Sequence, residues 1–174
     1  MDLCEILEGA GYAVAGQACD GLEAIELCRE CKPDLVLMDV KMPLLNGMKA
    51  TQMIKEEKLA PCVVLLTAYS GQEFIDEAKN LGVKGYLVKP VNEKGLLPTI
   101  EVALSISNEI LCMEETIHKT KDELKTRIII DKAKGILMKK YSLTEEDAYS
   151  SLRKISMDKN YSIKKVAQAI ICNE

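Results

Sequence analysis

The sequence predicts an α/β chain, a parallel sheet covered by helices on both faces, followed by an all-helical end. Three observations carry that prediction. Short, continuously apolar segments alternate with helix-spaced ones over the first two-thirds of the 174 residues, and strands apolar on both sides belong to buried parallel sheets. No strand signal follows Asn92. The charge divides as well: within an overall −4, residues 1–115 carry a net −9 and residues 116–174 a net +5. An acidic front and a basic back suggest two modules, the second a candidate for an anionic partner such as nucleic acid. A basic helical face is more often simply solvated, so charge alone decides little.

The elements follow in order. After Gly11, which ends the opening helix, "YAVAGQA" (12–18) reads as a short strand. "DGLEAIELCREC" (20–31) has helical spacing at Leu22, Ile25, Leu27 and Cys28, and Lys32-Pro33 stops it. "DLVLMD" (34–39) is a continuous apolar strand that ends on a carboxylate. "GMKATQMIKEEK" (47–58) is helical, "CVVLLTA" (62–68) a second buried strand, and "GQEFIDEAKNLG" (71–82) a helix closed by Gly82. "GYLVKP" (85–90) is the last strand.

Beyond it, Ala103, Ile106, Ile110, Met113, Ile117, Thr120 and Leu124 are spaced alternately three and four apart, the period of a coiled-coil seam. A helix packed on its own chain gives the same spacing; the polar flank "EETIHKTKDELK" favours a dimer seam equally. Three apolar stretches then form a small helical bundle: 128–141, 143–156 and 162–173. Thr144 with Asp147 makes a capping-box-like start, and Ser162 precedes the last helix.

Composition excludes several classes. No apolar run approaches a membrane span, and the acidic opening has no basic region of a signal peptide. Seven cysteines without framework spacing suit a reducing cytoplasm. Cys28 and Cys31 form a CxxC on a helix, with no second pair and no nearby histidine, which argues against zinc or redox work. His118 is the only histidine and lies in the linker helix beside the seam, so catalysis by it is not expected and no histidine cluster exists to hold a metal; no catalytic residue is assigned.

The chemistry collects at strand ends. Asp39, Thr67 and Lys89 each end a parallel strand, so they share the edge of the sheet where ligands bind. A carboxylate nucleophile, a hydroxyl and an ammonium suit phosphoryl transfer to the aspartate. Burying Asp39 and Lys89 without a role would be costly.

The pattern "LVLMDVKMPLLNG … LLTAYS … GYLVKP" resembles a response-regulator receiver domain over roughly residues 1–100. The resemblance implies a flavodoxin-like fold with Asp39 phosphorylated by a sensor histidine kinase. It implies Thr67 as the switch hydroxyl, Tyr86 as the aromatic that moves with it, and Lys89 as the phosphate-sensing lysine before a cis Lys-Pro bond. An ordinary edge-strand aromatic explains Tyr86 as well. The resemblance also implies Mg²⁺ held by Asp39 and an acidic pair ending the family's first strand. This sequence opens inside the following helix, so neither strand nor pair is in it, and a truncated sequence or misassigned start is the expected reason.

The tail resembles the ANTAR RNA-binding domain over roughly residues 119–174, through "AKGILM" (133–138), "EEDAYSSLRKIS" (145–156) and "VAQAI" (166–170). Ala133, Gly135, Met138, Ala148, Tyr149, Leu152, Val166 and Ala167 match the family pattern, and most are expected in the bundle core; Ser156 stands where the family tends to have alanine. Lys134, Lys139, Lys140, Arg153, Lys154, Lys164 and Lys165 are the expected phosphate contacts, and Tyr149 or Tyr141 the base-stacking aromatic. Buried tyrosines and solvated lysines are the plain alternative.

The reading is a cytoplasmic response regulator: a receiver (1–100), a coiled-coil linker (101–127) and a three-helix ANTAR bundle (119–174), pairing as a homodimer on hairpin RNA to cause antitermination. A DNA-binding output, or a phosphorylation-independent interaction protein with a degenerate receiver, are the alternatives.

Overall fold

The computed structural model describes residues 2–68 and 72–172, without the side chains of 72–75. In chain order its elements are α1 (Leu3–Gly9), α2 (Gly21–Cys31), β1 (Leu35–Asp39), α3 (Gly47–Glu56), β2 (Cys62–Thr67), α4 (Gln72–Asn80), β3 (Gly85–Val88), α5 (Glu93–Tyr141), α6 (Glu145–Lys159) and α7 (Ile163–Cys172). Two compact units divide within α5: Met1–Cys112 and Met113–Glu174.

In the first unit the strands pair in parallel in the order β1-β2-β3, with Leu35 opposite Cys62 and Val64 opposite Gly85. Alternation along the strands sends side chains to two faces. On one, Met38, Val63 and Leu65 pack with Ala24, Ile25, Cys28, Met48, Ala50, Ile54 and Ala78 of α2, α3 and α4. On the other, Leu35, Leu37, Val64 and Leu87 meet Ile6 of α1 and Leu96, Ile100 and Ala103 of α5. The central strand β2 is therefore buried from both sides, as the sequence implies, whereas β1 is mostly half-buried and β3 leaves Tyr86 and Val88 exposed.

Local chemistry sets the helix ends. Asp20 caps α2, its Oδ1 accepting the amides of Leu22 at 2.8 Å and Glu23 at 3.0 Å, while Glu23 accepts the Cys19 amide at 2.7 Å. That is a reciprocal cap satisfying otherwise orphaned N–H groups. Lys32 ends the helix in the left-handed region at φ 46, directly before Pro33.

Three expectations need correction. Residues 12–18 form no strand. Among the described residues the sheet runs β1-β2-β3, and no ladder joins 12–18 to it. The last strand stops at Val88 rather than Pro90: the Lys89 amide still donates to Thr67 O at 2.8 Å, but Pro90 has no N–H to continue the ladder. And α5, a single helix of 49 residues, is long and apolar enough by length and composition to span a membrane. Within it, Leu96, Ile100 and Ala103 pack against the sheet. The start of the 71–82 helix, Gly71, lies outside the described residues.

In the second unit the C-terminal part of α5 packs with α6 and α7 around Ala133, Leu137, Ala148, Leu152, Val166 and Ala167. Alanines at three of these positions let the helices approach closely, and Leu152 fills the centre. Thr144 caps α6, accepting the Asp147 amide at 3.2 Å and donating to the Asp147 carboxylate at 2.7 Å. Met138 and Tyr149 are exposed and Gly135 meets open space, so these three are not core. Their helical phase points them away from the buried stripe.

Cys62 lies fully buried in β2, and burial pushes its thiol up to about 11 from an ordinary 9.0. A folded group held protonated contributes stability below pH 9.0 that is lost as pH rises toward 11. A thiol reagent at pH 8 is therefore expected to label exposed Cys19 and Cys31 at once and Cys62 only after denaturation, as read by peptide mass mapping.

Candidate functional site

Asp39 is the last residue of β1 and stands in register with Leu66. The next residue, Val40, donates to Leu66 O at 2.9 Å, so the backbone is fixed on both sides of the carboxylate. Asp39 Oδ1 accepts the Lys41 amide at 3.1 Å, and Oδ2 pairs with the Lys89 ammonium. Their side chains stay 32% and 41% exposed. The expectation of two buried charges is thus corrected: the pair sits at an open sheet edge, where solvent screens it and a partner can reach it.

The loop after Asp39 explains the Asn-Gly pair. Asn46 caps α3 by accepting the Lys49 amide at 2.9 Å, and Gly47 donates to Val40 O at 3.0 Å. A Cβ on Gly47 would collide with the Asp39 carbonyl. Only glycine lets α3 begin directly against the functional strand end. Sequence reasoning noticed the pair without seeing this role.

Thr67 ends β2, fully buried, and is joined to Lys89 through the backbone bond already described. Tyr86 stands opposite Leu65, two residues before Thr67, so Tyr86 and Thr67 project from the same face of the sheet. Tyr86 itself is partly exposed. The Lys89–Pro90 peptide bond is cis.

At the basic end, Lys139, Lys140, Arg153, Lys154 and Lys165 are exposed and Lys164 half-buried. Lys134 is different. Its ammonium lies 2.7 Å from both the Asp131 and Glu145 carboxylates and its side chain is 15% exposed. Hydrogen bonds to those two carboxylates raise its pKa, and its own hydrogen bond lowers that of Asp131. Lys134 therefore ties α5 to α6 through both carboxylates.

Of the seam positions, Ile106, Ile110, Met113, Ile117 and Leu124 are exposed along α5. Ala103 is buried beside Cys62 and Val64 in the first unit's own core, so it does not belong to a seam between chains. Thr120 turns its hydroxyl back to Thr116 O at 2.9 Å.

The response regulator receiver domain family matches residues 1–101, and the ANTAR domain family matches residues 118–171. The chain belongs to the response regulators. The transcriptional regulatory protein PdtaR of Mycobacterium tuberculosis is 40% identical over 171 residues, covering 98% of this chain and 83% of that protein. The chemotaxis protein CheY of Thermotoga maritima is 40% identical over 90 residues, 52% of this chain and 75% of its own. Among solved structures, Vibrio cholerae CheY4 superposes with a TM-score of 0.55 at 30% identity, covering 58% of this chain and 85% of CheY4. The receiver domain of a modulated diguanylate cyclase from Desulfovibrio desulfuricans G20 also gives 0.55, at 28% identity, covering 61% and 84% of the two chains.

Receiver domains usually bind Mg²⁺, a hard cation that takes oxygen ligands and binds through one or two carboxylates. In this response regulator the described residues contain no group of three or more His, Cys, Asp or Glu that could hold a metal. Asp39 already pairs with Lys89. The residues present do not by themselves fit a Mg²⁺ site.

Gly47→Ala is expected to cost about 1–3 kcal/mol through the forced backbone shift at Asp39. Gly9→Ala, where nothing lies within 4 Å of the added carbon, is expected to be near neutral. Chemical denaturation of both variants checks this.

Proposed function

We propose that this response regulator accepts a phosphoryl group on Asp39 from a sensor histidine kinase and responds by binding hairpin RNA in nascent transcripts, causing antitermination. What supports it most is one arrangement: the open Asp39–Lys89 pair on a receiver sheet, in the same chain as an ANTAR bundle. The relative named a transcriptional regulatory protein, similar over nearly the whole chain, points the same way.

In this reading an Asp39 oxygen attacks the phosphorus, the P–N bond to the kinase histidine breaks, and an acyl phosphate forms. The Lys89 ammonium balances charge on the phosphoryl oxygens. Thr67 and Tyr86, on one face of the sheet, carry the change toward β3 and so to the start of α5, four residues beyond Lys89. The receiver occupies 1–100, the linker 101–127 and the bundle 119–174. Ile106, Ile110, Met113, Ile117 and Leu124 form the seam of a homodimer, and the Mg²⁺ of the family requires carboxylates beyond those described. The protein works in the cytoplasm and is regulatory rather than enzymatic.

Two ANTAR bundles joined by a seam gain effective concentration on paired hairpins. Exposed Lys139, Lys140, Arg153, Lys154 and Lys165, with half-buried Lys164, supply phosphate contacts, which makes binding steeply dependent on salt. The whole chain, titrated against hairpin RNA and duplex DNA at several salt concentrations, is expected to prefer the hairpin at moderate salt. Equal or tighter binding to duplex DNA gives the output domain to DNA, and no binding to either makes the tail an assembly module.

A further inference from the structure

The helical unit exposes three tyrosines, and their surroundings differ. Tyr149 borders an open cleft of about 550 Å³ with Asp122, Glu123, Asp131, Arg127 and Lys134. Three carboxylates face that cleft and Lys134 is already occupied by two, so a phosphate is repelled there. Tyr141 ends α5, with Lys140 Nζ 5.9 Å from its ring centroid. Tyr161 lies in the turn between α6 and α7, 52% exposed, with Lys165 Nζ 4.3 Å from its ring centroid.

The turn holds Tyr161 at both backbone groups. Asn160 closes α6 in the left-handed region at φ 53. The Tyr161 amide donates to Ser156 O at 3.1 Å, and Ser156 Oγ donates to Tyr161 O at 2.5 Å. Ser162 Oγ accepts the Lys165 amide at 3.3 Å, which sets the first turn of α7 and places Lys165 beside the ring. Ser156, the position that departs from the family's alanine, is thus the residue that clamps this turn. An exposed aromatic on a pinned backbone loses little freedom on binding.

The charge around it is one-sided. Residues 154–165 hold Lys154, Lys159, Lys164 and Lys165 against the single Asp158. Among the described residues none of the four lysines has an ion-pair partner. An aromatic face flanked by unpaired cations is the combination that binds single-stranded nucleotides, the ring taking a base and the cations tracking phosphates.

We infer that Tyr161 and Lys165 form a subsite for one unpaired nucleotide of an RNA hairpin loop, the tyrosine stacking on the base and the lysine meeting the adjacent phosphate. This rests on the RNA-binding reading above and names the residues that would read the loop.

The test uses the full chain and a hairpin carrying 2-aminopurine in its loop. Wild type is expected to quench the loop fluorescence on binding. Tyr161→Ala is expected to bind about 10-fold more weakly and lose the quench, with its helical circular dichroism intact. Tyr161→Phe is expected to keep both, and Lys165→Gln to lower the salt slope by about one phosphate contact. Tyr161→Ala indistinguishable from wild type, with Tyr141→Ala or Tyr149→Ala losing the quench, overturns this subsite and leaves RNA binding standing. Loss in Tyr161→Phe as well points to a hydroxyl contact and also overturns stacking. Failure of wild type to bind the hairpin at all removes the RNA reading itself, and this inference with it.

Discussion

A carboxylate and an ammonium face each other at the open edge of a three-stranded parallel sheet, and the first unit is built to keep them there. Asp39 ends one outer strand and Lys89 follows the other, so the pair spans β2 between them. Parallel pairing delivers both to the same edge, because every strand of such a sheet ends on one side. Behind them, apolar residues of the strands pack against helices on both faces of the sheet. Gly47 then brings α3 tight against the Asp39 carbonyl, leaving the carboxylate reachable from outside while hydrogen bonds hold the adjoining backbone at Val40. A group positioned by packing and open to a partner is suited to accept a phosphoryl group; a surface aspartate on a mobile loop is not.

The second unit solves a different problem. Its core is small, six buried residues with three alanines, so close helix approach replaces bulk. The Asp131–Lys134–Glu145 ion-pair triad adds a bridge between α5 and α6 without touching that core. Because the core uses one face of each helix, lysines and tyrosines are left on the others. Which of these are available depends on their neighbours: Lys134 is taken by carboxylates, while the lysines around Tyr161 are not.

Much of this was legible in the sequence for a physical reason. Residues such as Val63, Val64 and Leu65 are apolar on consecutive positions, which in so short a run bounded by turns suits a strand covered on both sides, and Asp39 at the end of such a run stands out against it. Thr144 and Asp147 announce a helix start through their own hydrogen bonds. What could not be read was what depends on a partner segment. Residues 12–18 have strand composition but no neighbour to pair with, Ala103 has seam spacing but is claimed by the sheet, and Lys134 looks like any other lysine until two carboxylates are seen beside it. The setting of Tyr161 could not be read either, because its turn is defined by a Ser156 hydrogen bond five residues back, which leaves no periodic signal.

Control of the helical unit by the Asp39 edge is the claim on which the account turns, and one titration addresses it directly. Hairpin-RNA affinity of the full chain is measured before and after treatment with a small phosphodonor in Mg²⁺ buffer, alongside Asp39→Asn. The account predicts an affinity that rises by about 10-fold or more in the wild type, an effect of the size common for coupling between sites, and no change in the variant. Equal affinity before and after treatment, or the same rise in Asp39→Asn, would contradict it.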